Sequence, residues 1–459
     1  MDLSRLRMSI SSNIKLTNKQ QTVVDSTEPA ILVNAVAGSG KTSTLMALAA
    51  KHGNGLYLAF NKAIVTDVIA KLPVGWSCKT FNSFGLGITK EHYPTAKVNF
   101  KKYQKKSYSA AATLANHHMC MNGNVSEVSW GMTADHFRIS RQFINEAQDI
   151  LTKGKAKTDE ISGEDMLQYP IDRGWKSKHY DVVLVDECQD LNPQQIAFLS
   201  CIPTDRIVFV GDRNQAIYGF RGSDPYAIEK LKDAYNPIEI EMSESFRCPT
   251  AVVDVISGIV PSMMTRKQGG QVSRVRINDV VFDEDCFIIS RTNSSLIKLA
   301  YTFLKSGEDF SIGSAFIRQL NFDLTPFMKK ANSLSELASA VDYKYRQELS
   351  KAQKNRWSST AIKSKYDGIV ALIEAANSMA EVKEFITSLA LHSDGSSTRR
   401  LMTIHAAKGL ENDHVYFLNP EACEYFKNQT DIGWRKQEED NLYYVACSRT
   451  LSKLTFVKG

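Results

Sequence analysis

The stretch Ala35-Val36-Ala37-Gly38-Ser39-Gly40-Lys41-Thr42 decides the fold. It follows a short apolar run, residues 30–33, and precedes residues 45–50, which have helical character, so it predicts a strand, a glycine-rich turn and a helix start. Such a turn needs small residues because backbone N–H groups must surround phosphates at the positive end of a helix. In this motif Lys41 reaches the β- and γ-phosphates and Thr42 binds Mg²⁺. The stretch therefore predicts a nucleotide site.

A chance glycine turn is the alternative, since the pattern fixes only four positions and the first of them is Ala35 rather than Gly. A second stretch decides against it. Tyr180-Asp181-Val182-Val183-Leu184-Val185-Asp186-Glu187 contains four apolar residues in a row and then two acids. Asp186 would hold Mg²⁺, and Glu187 would orient or deprotonate the attacking water. Two acids after a buried strand can also cap a helix, but together with Lys41 they indicate catalysis.

Length and composition narrow the class of protein. A chain of 459 residues predicts about two to four domains. Hydrophobic and charged fractions of 43% and 23% are typical of a soluble globular protein. We expect a cytoplasmic protein without membrane contact, because there is no long apolar stretch and residues 1–12 lack the apolar middle of a signal peptide.

The cysteines and the net charge exclude little further. Eight cysteines occur without a Cys-x-x-Cys pair, which predicts reduced core thiols. His117-His118-Met119-Cys120 resembles a soft-metal cluster, but without a second ligand pair we favour a solvated helix. A net charge of +6 permits a polyanionic partner without demonstrating one.

Polar and aromatic residues follow the predicted strands of the first half. Gln20 precedes the phosphate loop and can read both the donor and the acceptor of an adenine edge, although a surface helix start is an equal interpretation. After residues 56–60, Asn61-Lys62 resembles the guanine-reading loop of a GTPase. That loop needs an acid at position 64, which is Ile64, so we reject this interpretation. Residues 80–85 mix hydroxyls and aromatics suited to phosphate contacts and base stacking.

Lys41 and Asp186 are too far apart in sequence for a compact nucleotide-binding core, which predicts an insertion at about residues 86–165. It carries a run of basic pairs and aromatics, residues 100–108, suited either to a nucleic-acid backbone or to a solvated helix face. A third strand, residues 206–210, leads to Gln215, which can sense the γ-phosphate, and to Phe220 and Arg221, which face another ligand.

From about residue 236 we expect a second α/β pattern without a phosphate loop of its own, beginning with Ile238-Glu239-Ile240. Residues 318–395 read as a second, helical insertion with a basic run that ends at Trp357. The α/β pattern resumes at residues 400–411 and continues to a last strand, residues 454–457. Arg449 is expected late in a helix, where a long cation could reach across a cleft.

With these segments in order, the chain resembles the Rep/UvrD/PcrA group of superfamily 1 helicases across both halves. The resemblance implies that Gln20 and Phe246 hold adenine, that the phosphate loop holds ATP, and that Thr42 and Asp186 bind Mg²⁺. It places Gln215, Arg247 and Arg449 on the γ-phosphate and Glu411 on the ribose. It also implies a single-strand track formed by Phe60, Asn61, Thr80, Phe81, Phe220, Arg221, Thr403 and His405.

The implied fold class is α/β, with two RecA-like motor domains of parallel sheets flanked by helices, each interrupted by a mostly helical insertion. The expected first motor is 1–85 plus 166–235, with 86–165 inserted. The expected second motor is 236–317 plus 396–459, with 318–395 inserted. Two departures from the family stand out: Ser43 replaces the usual Arg after the Lys-Thr pair, and both insertions are short.

The resemblance implies an ATP- and Mg²⁺-dependent helicase that moves 3′→5′ on single-stranded DNA and acts at single-strand/duplex junctions in replication, repair or recombination. ATP would lie between the two motors, and closure would bring Arg247 and Arg449 to the developing charge. We expect a monomer in the absence of DNA, with replication or recombination proteins as further partners. Two alternatives stay open: a factor that strips proteins from single strands without unwinding, and RNA as the track.

Overall fold

The computed structural model describes residues 15–103, 110–121, 129–137, 139–219, 222–354, 360–393, 395 and 397–459. These residues form two compact units, which divide between Glu244 and Ser245. Among the described residues, no helix has the length and apolar character needed to cross a bilayer.

The first unit is built on a six-stranded sheet in the order β3-β2-β6-β7-β1-β8, and neighbouring strands pair in parallel. Alternate residues of the central strands enter two separate apolar cores, as Val183 and Val185 do on one face and Val182 and Leu184 on the other. Burial on both faces explains the uninterrupted apolar runs in the sequence. The sheet strands are β1 (Ala30–Ala35), β2 (Gly55–Ala59), β3 (Ser77–Thr80), β6 (Tyr180–Asp186), β7 (Thr204–Gly211) and β8 (Ile238–Met242), and the short pair outside the sheet is β4 (Lys97–Val98) and β5 (Glu160–Ile161).

Helices cover the sheet of the first unit and form most of its insertion. Several begin at a side-chain cap, such as Asn61 before α3 and Thr80 before α4, where the cap oxygen accepts a backbone N–H of the first turn. They are α1 (Asn18–Asp25), α2 (Lys41–Ala49), α3 (Lys62–Ile69), α4 (Phe81–His92), α5 (Ala110–Met121), α6 (Trp130–His136), α7 (Ile144–Lys155), α8 (Asp165–Arg173), α9 (Pro193–Phe198) and α10 (Ala227–Tyr235).

Strand β8 corrects the expected domain boundary at residue 236. It pairs in parallel with β1, with Val33 opposite Ile240, so it is an edge strand of the first sheet. The first unit therefore continues to Glu244. Only alternate residues of this strand, Ile240 and Met242, are buried. An alternating pattern predicts a strand with one buried face but does not tell which sheet the strand joins.

The first insertion has its own small core, and the basic-aromatic run contributes to its interior. Lys102 Nζ lies 2.8 Å from Asp165 Oδ2 in a fully buried ion pair, and Tyr103 donates to the same carboxylate at 2.6 Å. The expectation that this run faces a nucleic acid or the solvent is therefore wrong for Lys102 and Tyr103, and residues 104–108 lie outside the described residues. His118 is also buried, stacked on Trp130, so the solvated-helix interpretation is corrected too.

The second unit has a six-stranded sheet in the order β11-β16-β15-β12-β14-β13, again with parallel pairs. The strands of this half are β9 (Glu244–Ser245), β10 (Met264–Thr265), β11 (Gln271–Arg276), β12 (Cys286–Ser290), β13 (Ser311–Ile312), β14 (Arg399–Thr403), β15 (Asn412–Leu418) and β16 (Thr450–Lys458).

All eight cysteines of the chain are free thiols, as the sequence predicts.

The helices of the second unit include the expected second insertion. It begins at Ser314 and is helical, but its residues Leu337 and Leu372 share one apolar core with sheet residues such as Ile288. Over its described residues, the insertion thus shares the core of the motor unit and has no separate one. The helices are α11 (Thr250–Ile256), α12 (Asn293–Ser306), α13 (Ser314–Met328), α14 (Leu334–Lys354), α15 (Thr360–Ala375), α16 (Met379–Leu391), α17 (Ile404–Ala407), α18 (Glu421–Asn428) and α19 (Gly433–Cys447).

Candidate nucleotide and nucleic-acid sites

The phosphate loop joins the end of β1 to the start of α2. Gly38 and Gly40 adopt positive φ angles of 73° and 81°, which glycine adopts at little cost. Gly40 caps α2, and Lys41 is the first residue of that helix. A Cβ at Gly40 would lie 2.5 Å from Gln20 Nε2, which is the movable end of a side chain, so the positive φ is the stronger reason for glycine at this position. Strand β1, the glycine turn and the start of α2 follow one another as the sequence predicts, and the N–H groups at this helix start are where a phosphate would bind.

Gln20 packs beneath this loop. Its Oε1 accepts a hydrogen bond from Thr17 N at 2.8 Å, and its Nε2 donates to Ser39 O at 3.1 Å. Both ends of the amide are therefore used to cap α1 and to hold the phosphate loop. Its contact with adenine stays a prediction, for which the amide has a second N–H and a second lone pair.

Asp186 ends β6 with a buried carboxylate held by two donors. The Tyr57 hydroxyl donates to Oδ2 at 2.6 Å, and Glu187 N donates to Oδ1 at 2.9 Å. Burial, followed by the neighbouring charge of Glu187, raises the pKa of Asp186 to about 6. A divalent cation at this position would favour the ionised carboxylate.

Glu187 begins a short turn with a backbone conformation that is rare for a residue with a side chain. Its φ is +52°, which costs roughly 1–2 kcal/mol outside glycine. Lys41 Nζ lies 3.7 Å from Glu187 Oε1, so the phosphate-loop lysine and the second acid meet directly. The sequence predicts both residues at one site, and the structure brings them together.

Gln189 is a site residue that the sequence analysis missed. It lies in the turn Cys188–Asp190 and is 2% exposed. Its Nε2 donates to Glu187 Oε2 at 2.5 Å, and its Oε1 accepts from Asp212 N at 3.0 Å. Asp212 Oδ2 in turn accepts from Gln215 Nε2 at 2.7 Å. The sequence does contain a signal for this residue. Gln189 lies two residues after Glu187, and a turn that only connected two elements would not need an amide side chain there.

These groups fit a magnesium nucleotide. Lys41 and two carboxylates meet where the carboxyl end of β6 emerges, and the exposed Thr42 follows Lys41 at the start of α2. The Ser39 hydroxyl is buried without a hydrogen-bond partner among the described residues, as expected of a loop whose polar groups serve a ligand. Lys41 and the loop amides would hold the phosphates, and Thr42 and Asp186 would hold Mg²⁺.

The predicted track residues of the first unit are in different environments. The ring of Phe60 stacks on Tyr218, with centroids 5.5 Å apart and planes 11° from parallel. Asn61 and Thr80 cap α3 and α4. Phe81 is only 2% exposed within the apolar core, so its ring cannot stack on a base in this structure, and we reassign it as a core residue.

Phe220 and Arg221 lie outside the described residues, so their predicted contacts with the strand are untested. In the second unit, Thr403 caps α17 by accepting from Ala406 N. His405 is half-buried within that helix. Both residues keep their predicted roles as expectations.

Three predicted nucleotide contacts of the second unit, Arg247, Glu411 and Arg449, lie close together. Arg247 Nε lies 2.6 Å from Glu411 Oε2. Arg449 is 1% exposed and donates from Nε to Val445 O at 2.9 Å and from Nη1 to Leu410 O at 3.4 Å, next to Glu411. Helix α19 ends at Cys447, so Arg449 follows the helix instead of lying within it, and its guanidinium is directed into its own unit.

Phe246, the predicted second adenine contact, is 45% exposed, and the guanidinium of Arg266 lies 5.6 Å from its ring centroid. An exposed aromatic face beside a cation is compatible with stacking on a base. Its contact with adenine stays a prediction.

A parallel α/β unit with a phosphate loop, followed by a second parallel α/β unit without one, defines a P-loop NTPase with two RecA-like motor domains. Comparison with family models agrees: residues 168–236 match the UvrD/REP helicase N-terminal domain, and residues 317–458 match the UvrD-like helicase C-terminal domain. Both units are thus similar to the Rep/UvrD-like superfamily 1 helicases.

Curated relatives extend the similarity over nearly the whole chain. F-box DNA helicase 1 of Gallus gallus is 23% identical over 95% of this chain and 48% of its own length. F-box DNA helicase protein 1 of Schizosaccharomyces pombe is 24% identical, with shares of 96% and 57%. Exonuclease/helicase subunit RexA of Lactococcus lactis is 37% identical over 20% of this chain and 8% of its own length. The chain thus spans about half the length of the first two relatives.

Proposed function

We propose that this protein is an ATP- and Mg²⁺-dependent DNA helicase that moves 3′→5′ along single-stranded DNA and opens duplex at junctions. The observation that carries the proposal is the meeting of Lys41 with Glu187, beside Asp186, at the end of the phosphate-loop sheet. Similarity to two helicase family models, and to relatives named DNA helicases, supports the choice of DNA as the track. The polarity follows from the family resemblance.

The side chains of the first unit would prepare the nucleotide for hydrolysis. Lys41 would exchange Glu187 for phosphate oxygens when ATP binds, which leaves Glu187 to accept a proton from the attacking water. Mg²⁺, when bound, neutralises charge on the phosphates and orients them for in-line attack. Gln189 would keep the carboxylate of Glu187 in place throughout.

The side chains of the second unit would complete the site on closure. Arg247 and Arg449 would add positive charge where negative charge develops on the transferred phosphoryl group. Arg247 would leave Glu411 to do so, and Glu411 would then be available to the ribose. Each cycle of closure and release would advance the strand past stacking residues such as Phe60, without sequence preference.

Unwinding assays with duplexes that carry a single 3′ or 5′ tail test this proposal. We expect ATP- and Mg²⁺-dependent unwinding of the 3′-tailed duplex only. Glu187→Gln keeps the shape of the side chain and removes the base, so this variant should bind ATP near normally and fail to unwind.

The other outcomes are equally informative. Unwinding from the 5′ tail alone would overturn the polarity. ATPase stimulated by single strands without any unwinding would favour a factor that displaces proteins from strands. Stronger stimulation by RNA than by DNA would move the substrate class to RNA.

A further inference from the structure

Tyr57 is a buried tyrosine in the middle of β2, and the helicase motifs assign it no role. Its side chain is fully buried on the same face of the sheet as Val182 and Leu184. The register places Tyr57 opposite Leu184, two residues before Asp186, so the ring extends along the sheet face toward the end of β6. Its hydroxyl donates to Asp186 Oδ2 at 2.6 Å.

The Tyr57 hydroxyl and the Glu187 amide together fix the orientation of the Asp186 carboxylate. Each oxygen of that carboxylate accepts one of these hydrogen bonds, so the carboxylate plane is held at two points. Each oxygen keeps further lone-pair directions for a cation or its water. Removing the hydroxyl would leave only the backbone donor at Oδ1.

We propose that Tyr57 is a positioning residue, which holds the carboxylate of Asp186 in the orientation required to bind Mg²⁺. The inference rests on the proposed function, because it takes Asp186 as the magnesium ligand. Partners that orient metal ligands are worth roughly 10–100-fold in metal affinity. Tyr57 would thus tune how much Mg²⁺ the protein needs, without touching the nucleotide.

The test is Tyr57→Phe, which keeps the ring and removes only the hydroxyl. Binding of a fluorescent ATP analogue is titrated with Mg²⁺, and ATPase is titrated in parallel. We expect the half-saturating Mg²⁺ concentration to rise roughly tenfold in both titrations. Analogue binding in excess EDTA should equal that of the native protein, and the turnover rate should recover at saturating Mg²⁺.

Tyr103→Phe is a matched control. Tyr103 is also buried in the first unit, and it also donates to a buried carboxylate at 2.6 Å, that of Asp165, which is not a predicted nucleotide or metal ligand. Both variants lose the same kind of bond and should be destabilised to a similar extent. Only Tyr57→Phe should change the Mg²⁺ requirement. Titrations are made at a temperature at which circular dichroism shows both variants to be folded.

The outcomes separate this inference from the proposed function. If the native protein binds the analogue without any response to Mg²⁺, the proposed function fails. If the native protein responds and Tyr57→Phe has the same half-saturating concentration, only the role of Tyr57 is overturned. An equal shift in Tyr103→Phe, or a Tyr57→Phe protein that cannot fold while Tyr103→Phe does, would assign the hydroxyl to stability alone.

Discussion

Gln189 connects the proposed general base to the loop that carries the proposed γ-phosphate sensor. Replacing it with Met keeps its length and volume and removes its hydrogen bonds to Glu187, to Asp190 Oδ2 and to Asp212 N. Because Glu187 would then sample other orientations, we expect kcat for ATP to fall roughly tenfold to a hundredfold with KM close to native. Steady-state ATPase with single-stranded DNA present measures both constants.

A second buried glutamine supplies the control for that prediction. Gln194 is 1% exposed and donates to Glu164 O and to Gln168 Oε1, neither of which belongs to the predicted nucleotide site. Gln194→Met should lower the melting temperature and leave kcat unchanged. If both variants lose kcat in proportion to their stability, Gln189 is a packing residue and has no positioning role.

At the residue scale, the sequence predicts what depends on local spacing. Lys41, Asp186 and Glu187 lie within short motifs, and the sheet brings them together as expected. The role of Tyr57 depends instead on the register of β2 against β6, and the role of Gln189 depends on the position of the loop after β7. No local sequence pattern contains either of these. Aromatic residues are ambiguous for the same reason. Phe81 and Phe60 both follow strands, yet one ring enters the core and the other does not.

At the element scale, helix α5 of the first insertion contains two histidines with unusually low proton affinity. His117 stacks on Phe137, and His118 stacks on Trp130 and hydrogen-bonds Thr133. Burial lowers the pKa of both to about 4, from an ordinary value of 6.5. Nearby positive or titrating groups, His136 for the first and Lys155 for the second, act in the same direction.

These histidines should make the protein less stable in mild acid. Between pH 6.5 and about 4 the unfolded chain binds protons that the folded chain does not, so the free energy of unfolding falls as the pH falls. At pH 5 we expect a loss of about 1–2 kcal/mol for each histidine relative to pH 7.5. Urea unfolding at the two pH values, followed by tryptophan fluorescence, measures it.

The double variant His117→Gln/His118→Gln isolates this contribution. It should be less stable than the native protein at pH 7.5, because it loses two stacked rings, but its stability should depend less on pH. An unchanged difference between pH 7.5 and pH 5 would show that other groups cause the acid sensitivity.

Strand β8 shows what can be predicted of elements. Its existence and type follow from Ile238, Ile240 and Met242, but its partner strand does not. The helical character of both insertions was also predictable from composition. Whether an insertion has its own core was not, because Leu337 and Leu372 are apolar in either case and only packing shows that they join Ile288.

At the scale of the whole molecule, the proposed cycle requires residues of one unit to act on a nucleotide held by the other. Arg449 belongs to the second unit and is fully engaged there, donating to Val445 O, Leu410 O and Ser448 Oγ. If it acts as an arginine finger, closure must redirect its guanidinium from these oxygens to the γ-phosphate. Until ATP binds, these oxygens would keep the guanidinium hydrogen-bonded and away from water.

Arg449→Ala tests that coupling between the units. We expect turnover of ATP to fall roughly 10³-fold, while binding of a fluorescent ATP analogue stays near native, because the loop around Lys41 that holds the phosphates is unchanged. Arg399→Ala is the control: Arg399 is also a buried arginine of the second unit, donating to Asp283 O and Phe282 O. Both variants should melt earlier, since each loses several hydrogen bonds donated by a buried guanidinium. If turnover per folded molecule falls equally in the two, Arg449 stabilises the second unit and another cation must complete the site.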